Sequence, residues 1–192
     1  MRHLLRQVSR FFPKFVMHGG DHTPYLSRYR IFETPDYRLF LHQFHRGDSD
    51  REVHNHPWSW AMSLILSGGY EEECVVEGLH LSSEDGWLLD ALHTTKRFFG
   101  PGSVNWIDTE TYHRVTLPHG EAWSLILSGP KTASWGFVRL SDWKYTPWRE
   151  FIRQKGLDPK EGPSRWSEPE TTLRREVEKW LLARLNAYAE AS

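Results

Sequence analysis

The sequence predicts an all-β barrel or sandwich with helices at its two ends. Short runs rich in β-branched and aromatic residues recur through the middle of the chain, separated by turns that contain Gly, Pro or Asp. Regular strands and turns of this kind are typical of antiparallel barrels and sandwiches. Clear helical periodicity is confined to the last part of the chain. At 192 residues, without an internal repeat or linker, residues 1–192 are expected to form one domain.

The first element is predicted to be a basic helix over residues 2–16. Cationic side chains recur there at Arg2, Arg6, Arg10 and Lys14. The apolar residues between them are Leu4, Leu5, Val8, Phe11, Phe12 and Phe15. This segment is too short and too interrupted to span a membrane or to act as a secretion signal. A helix packed on the barrel is favoured over a helix that lies on a membrane surface.

The barrel is predicted to extend over about residues 37–140. The segments predicted as strands are Tyr37–His45, Ala61–Ser67, Tyr70–Val76, Trp87–Leu89, Thr95–Phe99, Ser103–Ile107, Arg114–Leu117, Trp123–Ser128 and Ser134–Leu140. Gly68-Gly69 predicts a tight hairpin between two of them, and Pro118-His119-Gly120-Glu121 predicts another.

Two helices are predicted after the barrel. A Thr-Pro step opens the first helix, over residues 147–155, and Gly156 ends it. A capping box formed by Ser167 and Glu170 opens the second helix, over residues 168–189. The apolar stripe of that helix consists of Leu173, Val177, Trp180, Leu181, Leu185 and Tyr188. The stripe is expected to pack on the barrel exterior or against a second subunit, so a homodimer is one expectation.

Composition limits the classes of function. A formal net charge of −1 argues against a general nucleic-acid-binding protein. The single cysteine, Cys74, excludes an internal disulfide framework and a cysteine-rich zinc module. Its strand-like context favours a packing thiol over a nucleophile. A cytoplasmic location is the default expectation for such a chain.

Two histidines separated by one residue, His54 and His56, are the strongest chemical signal. Alternate side chains of an extended strand leave the same face, so both imidazoles are directed at one point. His113 follows much later, after a Pro-Gly turn, a strand and a short polar turn. Neutral imidazole suits iron, nickel, copper and zinc, and three protein nitrogens leave positions open for water or substrate. The three histidines therefore form a candidate site for one metal ion.

The segments around these histidines resemble the two motifs of the cupin superfamily, which are small double-stranded β-helix (jelly-roll) barrels. His54–Gly68 (HNHPWSWAMSLILSG) resembles the first motif, and Pro101–Val115 (PGSVNWIDTETYHRV) resembles the second. The resemblance covers about Tyr37–Gly136. It implies one metal ion held by the two histidines of the first motif and by His113.

The chain departs from the cupin pattern in ways that bear on its chemistry. The glutamate position of the first motif falls at Ala61, beside Trp60, and neither residue can bind a metal. Glu110 replaces the glycine of the usual Pro-x-Gly turn, where a solvent-facing side chain is favoured over a ligand. A three-histidine site without glutamate resembles the thiol dioxygenases, which hold ferrous iron in that way. Their Ser-x-His-x-Tyr triad is reduced here to Ser124-Leu125-Ile126-Leu127-Ser128, which argues against cysteine oxidation in particular.

The cupin resemblance also predicts the pocket. Its register directs six side chains toward the cavity, namely Ala61, Ser63, Ile65, Ser124, Ile126 and Ser128. Trp58, Trp60 and Trp106 flank the ligands, and they are interpreted either as an aromatic wall for a planar substrate or, the favoured alternative, as ordinary core.

Two further groups of residues near the barrel remain open to interpretation. Arg38 and Arg51 are the upstream cations available to anchor a substrate carboxylate, although a solvated position is favoured for each. His42 and His45 have opposite parity on one strand, so they cannot both face inward. One of them is able to approach the site, but a solvated histidine is the favoured interpretation.

Three classes of function are compatible with these features, because the cupin fold hosts all of them. One is an oxygenase that uses ferrous iron. Another is a non-redox isomerase, lyase or hydrolase in which zinc, nickel or manganese polarises a carbonyl or lowers the pKa of water. The third is a non-catalytic small-molecule-binding cupin. The sequence favours a metal-dependent cupin enzyme, a mononuclear non-haem iron oxygenase with Fe(II) as the preferred ion and a small molecule as substrate.

Overall fold

The structure, a computed structural model, describes residues 1–19, 23–48, 52–76, 93–142 and 144–156, together with the backbone of 82–83 and 86–87. The elements, in chain order, are α1 (Arg2–Ser9), β1 (Lys14–His18), β2 (Pro24–Glu33), β3 (Arg38–Phe44), β4 (Val53–His54), β5 (Trp60–Ser67), β6 (Tyr70–Val76), β7 (Ser82–Ser83), β8 (Gly86–Trp87), β9 (His93–Phe99), β10 (Val104–Asp108), β11 (His113–Thr116), β12 (Ala122–Ser128), β13 (Gly136–Arg139), β14 (Lys144–Pro147) and α2 (Trp148–Gln154).

Most of the strands belong to two antiparallel sheets. One has the order β1-β2-β3-β12-β5-β10, and the other has the order β14-β13-β4-β11-β6-β9. The strands β3-β12-β5-β10 and β4-β11-β6-β9 alternate between early and late parts of the chain, which is the strand order of a double-stranded β-helix. The predicted all-β jelly roll with terminal helices is therefore confirmed, and residues 61–67 lie within β5 as predicted.

Side-chain alternation determines which residues face the barrel interior. β5 alternates strictly between half-buried and buried positions along Trp60–Ser67. Phe40, Trp58, Ala61, Ile107 and Ile126 form one buried cluster, which we call the inner cluster. A second buried cluster joins the two sheets through residues of β5, β6, β9 and β11, namely Ile65, Tyr70, Phe99 and Val115.

The N-terminal segment differs from the prediction of one helix over residues 2–16. α1 ends at Ser9, and Lys14–His18 forms a strand that pairs with β2. Pro13 lies between them, and proline has no N–H to continue a helical hydrogen-bond ladder. The sheet consequently begins well before Tyr37. α1 does pack on the barrel, because Leu5 packs against a third buried cluster, which we call the outer cluster. Its members are Tyr29, Leu41 and Trp123.

The C-terminal part agrees with the sequence where the structure describes it. α2 lies within the predicted span 147–155, and Gly156 follows it with a φ of 74°. That positive φ is a conformation that glycine adopts without a steric penalty. The second predicted helix, over residues 168–189, lies outside the described residues. Among the described residues, no helix has the length and apolar character needed to cross a membrane.

The outer cluster provides a stability test that does not involve the histidines. Trp123 is 0% exposed, stacks on Tyr29 at a ring-centroid distance of 6.0 Å, and donates from Nε1 to Glu121 at 2.8 Å. We expect Trp123→Ala to lower the free energy of unfolding by about 3–5 kcal/mol, because it leaves a large cavity. Urea denaturation followed by circular dichroism measures this loss.

Trp106→Ala is the matched control, since Trp106 is 59% exposed and stacks on Trp60 at the surface. Its expected cost is about 1 kcal/mol, the value of an aromatic pair at a surface. Equal losses in the two variants would contradict the assignment of Trp123 to a buried cluster.

Candidate metal centre

Strand pairing brings three histidines together at one place in the barrel. His54 ends β4, His56 follows it, and His113 opens β11 directly opposite His54 in the antiparallel register. The three ring centroids are 5.0 to 5.1 Å apart, and the ring planes are tilted or perpendicular to one another. Their ring nitrogens include one set in which all three lie within 4.8 Å of one another. This is the cluster that the two sequence motifs predicted as ligands.

The donor set fits a divalent metal ion. Two imidazole nitrogens that each lie about 2.1 Å from one ion are separated by at most about 4.2 Å. Nε2 of His56 and Nε2 of His113 are 2.9 Å apart, which satisfies that limit. Burial, followed by the charges of the neighbouring histidines, holds the pKa of His56 well below its ordinary value. The imidazole of His56 is therefore neutral at physiological pH, as metal coordination requires.

A buried carboxylate supports His113 from behind. Glu72 on β6 is 5% exposed, and its Oε1 accepts a short hydrogen bond from Nδ1 of His113. The same oxygen accepts a bond of 2.7 Å from Nδ2 of Asn105, which also donates to the hydroxyl of Tyr70 at 3.2 Å. With the proton fixed on Nδ1, the lone pair on Nε2 of His113 is directed toward His56. This is the carboxylate–histidine arrangement that orients metal ligands in proteins.

Opposing effects act on the Glu72 carboxyl. Burial raises its pKa, but the hydrogen bond and charge of His113 and the hydrogen bond from Asn105 outweigh burial and leave the pKa below its ordinary value. Sequence reasoning missed Glu72. The sequence pattern that could have identified it is strand alternation. Glu72 lies two residues after Tyr70 on β6, so the two side chains share a face, and both are buried.

Glu72→Gln is expected to weaken metal binding by about 10- to 100-fold, the usual cost of losing a carboxylate behind a ligand histidine. Isothermal titration of the metal-free protein with Zn²⁺ measures this change. Glu73→Gln is the matched control, since the carboxylate of Glu73 accepts hydrogen bonds from Arg114 and Thr94. The orienting role of Glu72 is wrong if the two variants bind Zn²⁺ equally well.

A second group of possible ligands shares His113 and adds Glu72 and Cys74. Burial, followed by the charge of Glu72, raises the pKa of the Cys74 thiol to about 12. A thiol is a good metal ligand only after it loses its proton. Since Glu72 is already bonded to Nδ1 of His113, the three-histidine set is the better assignment.

The tryptophans near the ligands lie in two different environments. Trp58 is buried in the inner cluster and stacks on His56 at 4.9 Å with an interplanar angle of 13°. Trp60 and Trp106 stack on each other instead, at 5.3 Å. They alternate with the inward residues Ala61 and Ile107 on their strands, so they lie on the outer face. Of the three predicted tryptophans, the structure brings Trp58 alone to the histidines.

The small residues that the cupin register directed inward occupy buried positions. Ala61, Ser63, Ser124 and Ser128 are between 1% and 8% exposed. The hydroxyls of Ser124 and Ser128 have no hydrogen-bond partner within the described structure. Glu110, in contrast, is exposed at its turn, as expected for a side chain that faces solvent.

Among the candidate arginines and the two other histidines near the barrel, Arg38 and His42 differ from the prediction in their burial. Arg38 is 9% exposed rather than solvated, and its guanidinium bonds Glu33 and the carbonyls of Pro35 and Gly129. Arg51 lies outside the described residues. His42 is 4% exposed, so the expectation of a solvated histidine is wrong for this residue. His45, on the opposite parity, shares a hydrogen bond with the hydroxyl of Ser27.

Comparisons with known proteins identify similar folds at low sequence identity. No protein-family model matches the chain, and no curated protein matches it. KdgF from Halomonas sp. aligns with 19% identity and a TM-score of 0.39, over 57% of this chain and 84% of its own. Hydroxypropylphosphonic acid epoxidase from S. wedmorenis aligns with 10% identity and a TM-score of 0.41, over 60% of this chain and 55% of its own.

A cupin superfamily protein from Desulfitobacterium hafniense DCB-2 aligns with 14% identity and a TM-score of 0.37, over 55% of this chain and 77% of its own. The strand order of the two sheets assigns the fold independently of these alignments. The chain has a double-stranded β-helix fold, the fold of the cupins, with a three-histidine cluster at the positions of its two motifs.

Proposed function

We propose that the chain is a metal-dependent enzyme, a mononuclear non-haem iron oxygenase that acts on a small molecule. The observation that carries this proposal is the convergence of His54, His56 and His113, with Glu72 bonded to the far nitrogen of His113. Glu72 is committed to that bond, and Ala61 stands where the cupin pattern has glutamate. The donor set is therefore three imidazole nitrogens without a carboxylate.

A set of three imidazoles has two consequences. It brings no carboxylate charge to a divalent ion, and three protein ligands leave coordination positions open for substrate. Bound iron would supply the redox chemistry that protein side chains lack. The chain's own residues hold the ligands: Glu72 fixes the proton on Nδ1 of His113, and the ring of Trp58 covers one face of His56.

The pocket residues favour an oxygenase over an isomerase, lyase or hydrolase. Those reactions need a general acid or base within hydrogen-bond reach of the substrate. Four inward positions at the barrel centre carry side chains that do not exchange protons near neutral pH, namely Ala61, Ser63, Ser124 and Ser128. The buried imidazole of His42 lies beside Ser124, and its Nε2 is already engaged by a hydrogen bond of 3.1 Å from Nε of Arg28. Substrate binding and orientation are the roles that these small residues allow.

Elemental analysis of protein purified without a histidine tag, under argon from iron-replete cells, tests the proposal. We expect about one iron per chain, and we expect oxygen uptake to depend on a substrate from a panel of small molecules. Stoichiometric zinc with no oxygen uptake after reconstitution with Fe(II) would place the chain in the non-redox class. Failure of metal-free protein to bind any divalent ion would refute an enzyme that depends on this site.

A further inference from the structure

A cleft with a volume of about 270 Å³ lies between β13, β14 and α2, at the edge of the sheet that carries His54 and His113. The register of β13 with β14 pairs Phe137 with Thr146 and Arg139 with Lys144, so these four side chains share one face of the ladder. α2 covers that face, because Phe151 stacks on Phe137 at a ring-centroid distance of 3.8 Å. Phe151 is buried, whereas Arg139 and Lys144 are exposed. The cleft therefore has an aromatic floor and a charged rim.

The charges around the cleft are unbalanced. Arg139, Lys144 and Lys155 line it, and Glu52 is the acidic side chain among its described lining residues. Arg139 and Lys144 lie directly opposite each other on neighbouring strands, which is a destabilising arrangement for like charges. Asp142, in the turn between these strands, pairs with Arg139 at 3.4 Å. Both side chains of that pair are about half exposed, and exposed pairs contribute little, so an excess of positive charge faces the cleft.

The size and the lining of the cleft indicate the class of its ligand. Binding sites for drug-sized molecules have volumes of about 300–1,000 Å³, so this cleft suits a smaller molecule. Three cations against one carboxylate match a phosphate monoester, which carries about −1.5 to −2 charges at pH 7. The planar guanidinium of Arg139 is able to bond two phosphate oxygens, and a lysine ammonium binds phosphate as a point charge. The half-buried ring of Phe137 offers an apolar surface to the organic group.

Phe137 separates this cleft from the histidine cluster. It is the register partner of His54 on β4 and of Thr146 on β14, so its side chain lies between the two. Its ring centroid is 5.6 Å from that of His54. Arg139 lies two residues further along β13, away from His54. The cations of the cleft are therefore on the far side of Phe137 from the candidate metal ligands.

We propose that this cleft binds a small phosphate monoester, with the phosphate held by Arg139, Lys144 and Lys155 and the organic group against Phe137. The site goes beyond the proposed oxygenase function, because none of these residues is a candidate metal ligand. Glu52 limits the affinity, since its carboxylate lines the same cleft and repels the phosphate.

Isothermal titration of the full chain with phenyl phosphate tests the site. The protein is first freed of metal with a chelator that is then dialysed away, and the pH is about 8, where the phosphate is dianionic. We expect saturable binding to one site per chain. Lys144→Gln should weaken binding about tenfold, because it removes one charge-assisted contact. Glu52→Gln should strengthen binding about threefold, because it removes the repulsion, and a gain of this kind cannot result from damage to the fold.

Arg153→Gln is the matched control, because it makes the same change in net charge on α2. Arg153 pairs with Glu150 at 3.3 Å and is not among the described lining residues of the cleft. This variant should bind phenyl phosphate within about twofold of wild type, since exposed charges outside the site are screened. The site is overturned if wild type does not bind, or if Lys144→Gln binds as wild type does. Equal losses in Lys144→Gln and Arg153→Gln would also overturn it, because they would show an effect of net charge alone.

Two further probes separate an ester from other anions. Phenyl sulfate has the same ring with a single negative charge and should bind at least about tenfold more weakly than phenyl phosphate. Inorganic phosphate lacks the ring and should bind about three- to tenfold more weakly, the value of one aromatic contact. Equal affinity for phenyl sulfate would reject a site for a dianion. Equal affinity for inorganic phosphate would reject an ester site and identify free phosphate as the ligand.

Discussion

His56→Ala and His113→Ala are each expected to lose most of the bound metal while the barrel remains folded. The candidate centre offers three protein nitrogens as ligands. Losing a ligand should cost more than losing a residue that only orients one, so we expect each change to weaken metal binding by more than about 100-fold. The two variants should differ in stability. In His113→Ala the buried Glu72 loses one of its hydrogen-bond donors and keeps Asn105, which should cost about 1–3 kcal/mol more than in His56→Ala.

Acidification should reduce this difference in stability. In wild-type protein the lowered pKa of Glu72 stabilises the fold at pH values above the ordinary pKa of glutamate. This stabilisation is lost as the pH falls through the lowered pKa. Without His113, the two largest effects that lower the pKa of Glu72 are gone, so its carboxylate contributes less stability at neutral pH. Lowering the pH protonates the carboxyl, and the free energies of unfolding of the two variants should then converge.

Metal content by mass spectrometry at pH 7, and urea denaturation at pH 7 and at about pH 4, which is below the ordinary pKa of glutamate, measure both effects. His119→Ala is the control, since His119 is exposed at a turn and contacts Phe98 rather than the cluster. It should keep full metal content and wild-type stability. Full metal retention in His56→Ala would show that the motifs do not mark a metal site.

The sequence could predict the barrel and the gathering of the histidines because both follow from local patterns. A period of two along Ala61–Ser67 specifies a strand with one buried face, and the structure places that run within β5. His-x-His parity directs two rings to the same face, and β4 and β11 then pair so that His113 lies opposite His54. The same alternation would have placed Trp106 outside, since its neighbour Ile107 belongs to the inner cluster.

The supporting residues could not be predicted in this way, because they depend on which strands become neighbours. Glu72 reaches His113 only because β6 pairs with β11, a pairing between segments about forty residues apart whose register no local pattern specifies. Arg28 lies on β2, a segment before Tyr37 that the sequence did not predict as a strand. Its hydrogen bond to His42 depends on the pairing of β2 with β3.

Ala61→Glu is expected to produce a protein that is unstable without metal and that binds metal more tightly than wild type. Ala61 is 1% exposed in the inner cluster, opposite Ile107 on one side and Ser128 on the other. A carboxylate at this position is buried among apolar groups, so the metal-free variant should lose about 3 kcal/mol or more of unfolding free energy. A metal ion at the three histidines would neutralise that charge and accept the carboxylate as a fourth ligand.

Metal should therefore stabilise Ala61→Glu more than it stabilises wild type, by the linkage between binding and folding. We expect metal affinity to rise at least about tenfold, which corresponds to about 1.4 kcal/mol of binding free energy. The added ligand also occupies a position that substrate or oxygen needs, so turnover should fall, and nitric oxide should bind the ferrous protein more weakly.

Ala61→Gln is the matched control, because glutamine has nearly the volume of glutamate and carries no charge. Both variants should suffer the overpacking of the inner cluster, and only the glutamate variant should recover stability and gain affinity when metal is added. Paired titrations with Zn²⁺ and Fe(II), together with nitric oxide binding, give the comparison. If the two variants bind metal equally and nitric oxide binding is unchanged, residue 61 points away from the metal, and the proposed open three-histidine centre loses its geometric basis.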